Sequence, residues 1–124
     1  MGDCDVCIGV EVDGYCEFSE TKIRKARKPA KCCECQQPIQ IGEQYEVTTM
    51  IYEGEFCKYR TCLLCVEIRR VFTCGEGFYY ESLWEEMEEY AFERLTTASK
   101  CFRELSPEAK AFVLERWRRW KGLQ

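Results

Sequence analysis

The chain contains no histidine at any of its 124 positions. Imidazole is the side chain that most readily trades a proton near neutral pH, so hydrolases and nucleases that use it as base or ligand are excluded, HNH-type nucleases among them. The sequence also lacks a glycine-rich phosphate loop and the paired acidic motif of a carboxylate-only metal nuclease. A cysteine nucleophile would have no imidazole beside it. These absences together argue that the chain is not an enzyme.

Other absences bear on organisation. No apolar run approaches the length that crosses a bilayer, so no membrane partner is expected. No internal repeat, low-complexity tract or Pro/Gly/Ser-rich linker divides the chain. A single domain over 1–124 is expected, with a cysteine-rich part at 1–75 and a helical part at 76–124 meeting near Gly75 and Gly77. An apolar content of 46% with 14% aromatic residues is too high for a disordered chain. The opening Met-Gly-Asp-Cys has no basic segment followed by an apolar one, so no secretory signal is expected. A cytoplasmic setting with reduced cysteines follows, and reduced cysteines favour metal over disulfide.

What the chain has in excess is cysteine, eleven in all. Six of them form CxxC pairs: Cys4 and Cys7, Cys32 and Cys35, Cys62 and Cys65. Each such pair presents two thiolates on one side of a tight turn, and two pairs brought together make the tetrahedral sulfur cage that zinc prefers. After Cys35, a Gln-Gln-Pro-Ile-Gln-Ile-Gly-Glu turn leads to strict alternation over Tyr45 to Tyr52. Glu53-Gly54 can turn the chain, and alternation resumes through Cys57, Tyr59 and Thr61, which predicts a hairpin that delivers Cys62. From Cys62 to Phe72 the spacing of Leu64, Ile68, Val71 and Phe72 is helical, with Thr61 as the expected N-cap.

Cys32, Cys35, Cys62 and Cys65 are therefore assigned to one zinc site, its second pair on a helix N-terminus whose free amides stabilise thiolate charge. Cys33 departs from a simple pair. Adjacent side chains point in opposite directions, so Cys33 is expected to face a second zinc site built from Cys4, Cys7 and Cys74, with Cys57 in reserve for the fourth place. Cys16, Cys57 and Cys101 remain, read as small buried hydrophobes.

Elsewhere, Ile8, Val10 and Val12 alternate and predict a short strand turning at Asp13-Gly14. Residues 22 to 31 carry six cations and no anion, and are read as a loop leading to Cys32. Ser82 and Glu85 suggest a capping box for a helix through Leu95, with Trp84, Met87, Tyr90, Ala91 and Leu95 apolar and Glu86, Glu88, Glu89 and Glu93 outward. A short helix is expected near Cys101 to Leu105. The last helix begins at Ser106-Pro107, with Phe112, Val113, Trp117 and Trp120 as its stripe. Its closing Arg116, Arg118, Arg119 and Lys121 suit the negative pole of the helix dipole.

The order CxxC, hairpin, CxxC on a helix resembles the treble-clef zinc fingers over Cys32 to Phe72. That resemblance implies a knuckle for the first pair and a helical first turn for the second. The fold class expected is thus α+β, a treble-clef-like N-terminal half with a helical C-terminal half. Taken with Met1 to Cys7, Lys31 to Ile39, Thr61 to Cys65 and the Glu-Arg-Trp-Arg-Arg-Trp-Lys-Gly ending, the chain is similar to short cysteine-rich proteins carried by bacteriophages and prophages. The likeness implies an accessory role in an infected bacterium.

Two functions are compatible with these residues. The first is a zinc-binding protein-interaction module, an inhibitor or adaptor that occupies a host protein through its glutamate-rich helix. The second is a zinc-dependent nucleic-acid-binding regulator gripping phosphates with Lys22 to Lys31, against which stands the net charge of −4.

Overall fold

The computed structural model describes residues 6–12 and 16–122. It is a mixed α/β structure with a three-stranded antiparallel sheet ordered β1-β4-β5. The strands are β1 (Cys16–Lys25), β4 (Gln44–Tyr52) and β5 (Glu55–Cys62), and between β1 and β4 lies a small hairpin of β2 (Ala30–Lys31) and β3 (Pro38–Ile39). Helix α1 (Leu63–Phe72) follows β5, then α2 (Leu83–Glu86) continuing into a π-helical turn (Met87–Ala91), α3 (Lys100–Arg103) and α4 (Pro107–Gly122).

The β4–β5 hairpin stands where the alternation placed it. Glu53 at φ 51° and Gly54 at φ 83° form the left-handed two-residue connection whose twist suits antiparallel strands. Thr48 pairs with Tyr59 on β5 and Thr21 on β1, so these three share one face. That face is covered at Thr48 and Tyr59: the Tyr80 hydroxyl donates to Thr48 Oγ1 at 2.9 Å, and the Tyr59 and Tyr80 rings stack 4.4 Å apart. On the opposite face Lys22, Val47 and Arg60 stand in register.

Several expectations are corrected. The basic stretch is not a loop: Lys22, Arg24 and Lys25 lie in β1, paired along its length with β4. Its polar alternation hid it, because neither face of β1 carries an apolar run. Ile8 to Val12 forms only an isolated bridge, Val10 to Gly77, and the proposed turn at Asp13-Gly14 lies outside the described residues.

Ser82 makes no capping hydrogen bond, so the capping box does not form. The helix it was to open runs instead into the π-helical turn, where the Phe92 amide reaches back to the Met87 carbonyl at 2.8 Å. The inserted residue shifts the register, so Met87, Ala91, Phe92 and Leu95 are buried while Tyr90 faces solvent. α3 and α4 stand close to their expected places, and Ser106 caps α4 by accepting the Ala109 amide at 3.2 Å. One apolar cluster draws on both halves, from Val6 and Cys65 through Ile68 and Phe72 to Leu105, Ala109 and Val113.

Candidate metal centre

The turn of the β2–β3 hairpin, here called the knuckle, carries the first cysteine pair. Its tip presents Cys32 and Cys35 and is closed by the Gln36 amide on the Cys32 carbonyl, 3.0 Å, with Gln36 at φ 64°. The Cys33 amide donates to the Arg60 carbonyl of β5 at 2.8 Å, which holds the knuckle against the strand that carries Cys62. α1 begins immediately beyond, with Cys62 itself at the N-cap position in place of Thr61 and Cys65 in the first turn. Thr61, fully buried, lies beside Cys33 with their Oγ1 and Sγ 3.5 Å apart.

The four sulfurs of Cys32, Cys35, Cys62 and Cys65 all lie within 4.8 Å of one another, and those of Cys35 and Cys62 are 3.9 Å apart. Four thiolates at about 2.3 Å from a tetrahedral ion stand about 3.8 Å from each other. This cluster can hold a metal ion.

Local donors prepare the sulfurs for negative charge. Cys32 Sγ accepts the amides of Glu34 (3.3 Å), Cys35 (3.5 Å) and Cys62 (3.4 Å), and Cys65 Sγ accepts the indole N–H of Trp84 at 3.4 Å. Four thiols this close cannot all ionise without a cation. On their own they hold charge unevenly: the Cys35 side chain, then those of Cys62 and Cys65, hold Cys32 far below the ordinary thiol range, and the same contact with Cys32 holds Cys65 far above it. A dication removes that conflict and lets all four coordinate. Cys32, Cys35 and Cys65 are buried and Cys62 is half-buried; Cys35 and Cys62 both border an open groove of about 410 Å³.

Around the sulfurs lies a polar frame that the cysteine spacing does not announce. Glu34, between the two knuckle ligands, has a fully buried carboxylate that accepts the amides of Glu81 and Leu83, each at 3.0 Å. Arg69, one turn past Cys65, reaches it at 3.7 Å and bonds Glu46 of β4 at 2.7 Å, while its guanidinium lies 4.2 Å from the Phe78 ring centre. Burial pushes the Glu34 pKa up against those bonds. Arg116 of α4 donates to the Cys35 carbonyl at 3.2 Å and stacks 4.6 Å over Trp84, so it ties α4 to the knuckle rather than merely answering the helix dipole. The sequence signals for these residues are slight: a carboxylate inside a CxxC, and an arginine four places after a ligand.

The predicted second site is changed. Cys7, Cys74 and Cys101 gather within 4.8 Å, with Cys7 and Cys74 joined as a disulfide. Cys4 lies outside the described residues. Cys33 is not a member: its thiol faces Thr61 and Glu34, and burial raises its pKa to about 12. Cys101, read as a leftover, takes its place, and Cys57 is a half-buried thiol on β5 directed to the Glu55 carbonyl. Cys16 is exposed, not a core residue.

No protein-family model, curated protein or solved structure matches this chain. Among the described residues no helix is long and apolar enough to cross a membrane.

Proposed function

We propose that the chain is a zinc-stabilised, non-enzymatic binding module whose basic sheet face takes up nucleic acid. Zinc fits the donor set: four soft thiolates close enough together for a tetrahedral cage suit a borderline-soft ion, with no coordination position left for a substrate. The knuckle, hairpin and helix in that order support the treble-clef likeness. In this reading the metal is structural, contributing on the order of 10 kcal/mol where the ligands would otherwise repel one another.

The observation that carries the binding reading is the outer face of the sheet. Cross-strand register places Lys22 and Arg24 of β1 and Lys58 and Arg60 of β5 on the same side, flanking Tyr45 and Val47 of β4. All four cations are exposed, and Arg27, Lys28 and Lys31 extend the surface around a concavity of about 550 Å³. Among the described residues the set's one ion pair is Lys22 with Glu20, at 3.6 Å on the surface. The net negative charge does not oppose this, because the glutamates of 85–93 are gathered on another element. A cationic face with an aromatic ring at its edge suits phosphates and a stacked base.

Fluorescence anisotropy with labelled duplex and single-stranded oligonucleotides over a salt series tests this. Four phosphate contacts give a slope of log K against log salt of roughly −3.6 on duplex. Lys58→Glu with Arg60→Glu should abolish most of the binding with the metal retained. No binding at low salt refutes the reading.

A second reading has its own observation. Tyr90 is 53% exposed among Glu86, Glu88 and Glu89 on the π-helical turn, and Glu89 and then Glu86 raise its pKa. An exposed aromatic in an acidic surround suits a basic groove on a protein partner, the action expected of a bacteriophage inhibitor of a host system. Loss of partner capture on Tyr90→Ala, with nucleic-acid binding absent, would favour it.

A further inference from the structure

We infer that Cys7, Cys74 and Cys101 are ligands of a second thiolate site for a divalent ion of the zinc class, and that the Cys7–Cys74 disulfide is the oxidised, metal-free state of that site. The inference stands apart from the nucleic-acid reading and uses different residues.

Three thiol positions from three remote segments converge here: the N-terminal segment 6–12, the residue pair beyond α1, and α3. Two of them, Cys7 and Cys74, form a disulfide. The third, Cys101, has its Sγ 3.7 Å from Cys74 Sγ, the spacing of neighbouring thiolates on one tetrahedral ion. Cys101 is itself disulfide-bonded, so the whole group is described in its oxidised form. The four thiols of the first cluster are free in the same molecule. Conditions that keep those reduced and metal-loaded also favour the thiol form of Cys7 and Cys74.

The backbone around this group is shaped for close approach. A Cβ on Gly9 would fall 2.4 Å from the Thr73 carbonyl oxygen and 2.3 Å from Glu76 Cβ, so only glycine lets the N-terminal segment lie against the end of α1. Amide bonds from Ile8 to the Phe72 carbonyl (2.9 Å) and from Val10 to the Gly77 carbonyl (3.0 Å) fix it there, with Val6 wholly buried. Cys74 adopts φ 55°, a left-handed conformation unusual for a residue with a side chain, next to Gly75 at φ 83°.

Loss of the ion balances simply. The thiolates of Cys7 and Cys74 give two electrons to a peroxide and form one S–S bond; the peroxide O–O bond breaks, takes two protons and leaves as two waters; the disulfide of Cys101 forms by the same two-electron step with a second peroxide, and the dication is released.

The full chain, purified under argon with a phosphine reductant and zinc, is weighed by native mass spectrometry. Two zinc ions per chain are expected, falling to one in Cys74→Ser and in Cys101→Ser. Titration with hydrogen peroxide should release the second zinc with appearance of the Cys7–Cys74 peptide, and reductant with zinc should restore it. Because either variant can fail to fold, cobalt(II) substitution of the unaltered chain is the companion measurement, with thiolate-to-cobalt absorbance expected for two sites. One metal per fully reduced chain, or two metals retained in both serine variants, overturns the inference.

Discussion

Arg69→Met removes the one cation that faces two sequestered carboxylates. Arg69 is 5% exposed, bonds Glu46 at 2.7 Å and lies 3.7 Å from Glu34, whose side chain has no exposure at all. Deleting one partner of a buried pair costs about 3–5 kcal/mol, because the other charge stays buried without it. Here the low end applies: Glu34 keeps the amides of Glu81 and Leu83, and methionine refills much of the volume against Phe78. The expected loss is about 3 kcal/mol at neutral pH, a factor of more than 100 in the folding equilibrium. Urea denaturation of the zinc-loaded protein, followed by tryptophan fluorescence, reads it.

The pH dependence gives a second handle. Burial already raises the folded pKa of Glu34, so the folded state holds a proton more tightly than the unfolded chain does. The resulting penalty is absent below the ordinary carboxylate pKa and grows as pH rises through the elevated folded value. Loss of Arg69 raises that folded value further, so the deficit of the variant relative to the parent should shrink as pH falls toward the carboxylate range. Adding Glu34→Gln and Glu46→Gln should recover part of the loss at neutral pH. A deficit below about 1 kcal/mol, unchanged with pH, would refute the picture of a buried charge frame.

Other outcomes follow from the same geometry. Cys35→Ser should lose the first metal and unfold the knuckle, whereas Cys57→Ser should keep metal content and circular dichroism unchanged. Trp84→Phe deletes the N–H bond to Cys65 Sγ and should weaken zinc by about tenfold to a hundredfold in a chelator competition, with the fold retained. Gly9→Ala should detach the N-terminal segment, seen as faster amide exchange at Ile8 and Val10, whose bonds end on Phe72 and Gly77. At pH 8 iodoacetamide should modify exposed Cys16 well before Cys33, whose thiol is held protonated by a pKa near 12; equal rates would contradict the placement of Cys33 beside Thr61.

The first cysteine cluster was legible because its information is local. Two CxxC turns, a hairpin with a left-handed turn pair and an amphipathic helix each have short-range signatures, and together they bring four sulfurs to one place. β1 was not legible: a strand mostly of Ser, Glu, Thr, Lys and Arg, with Phe18 and Ile23 on opposite faces, has no apolar face, and its partners on β4 lie 19 to 36 residues on. The π-helical turn escaped because a one-residue register shift leaves the apolar count of 83–95 unchanged and alters only which of them face inward. The second cluster failed by one member. The alternation that turns Cys33 away from Cys32 says nothing of how far Cys7 lies, and Cys101 arrives through the packing of α3, which no spacing in the sequence encodes.

The β4–β5 hairpin also shortens the path between the two cysteine pairs. In an open chain Cys35 and Cys62 are separated by 27 residues, but once β5 is zipped onto β4, Cys62 sits opposite Tyr45, only 10 residues from Cys35. Loop-closure entropy scales with the logarithm of the loop, so the shortcut is worth about 0.9 kcal/mol toward assembling the cage. The Glu53-Gly54 turn, remote from any sulfur, thereby eases assembly of the four-sulfur cage, and a chain whose turn forms slowly would leave those thiols apart and open to oxidants for longer during synthesis.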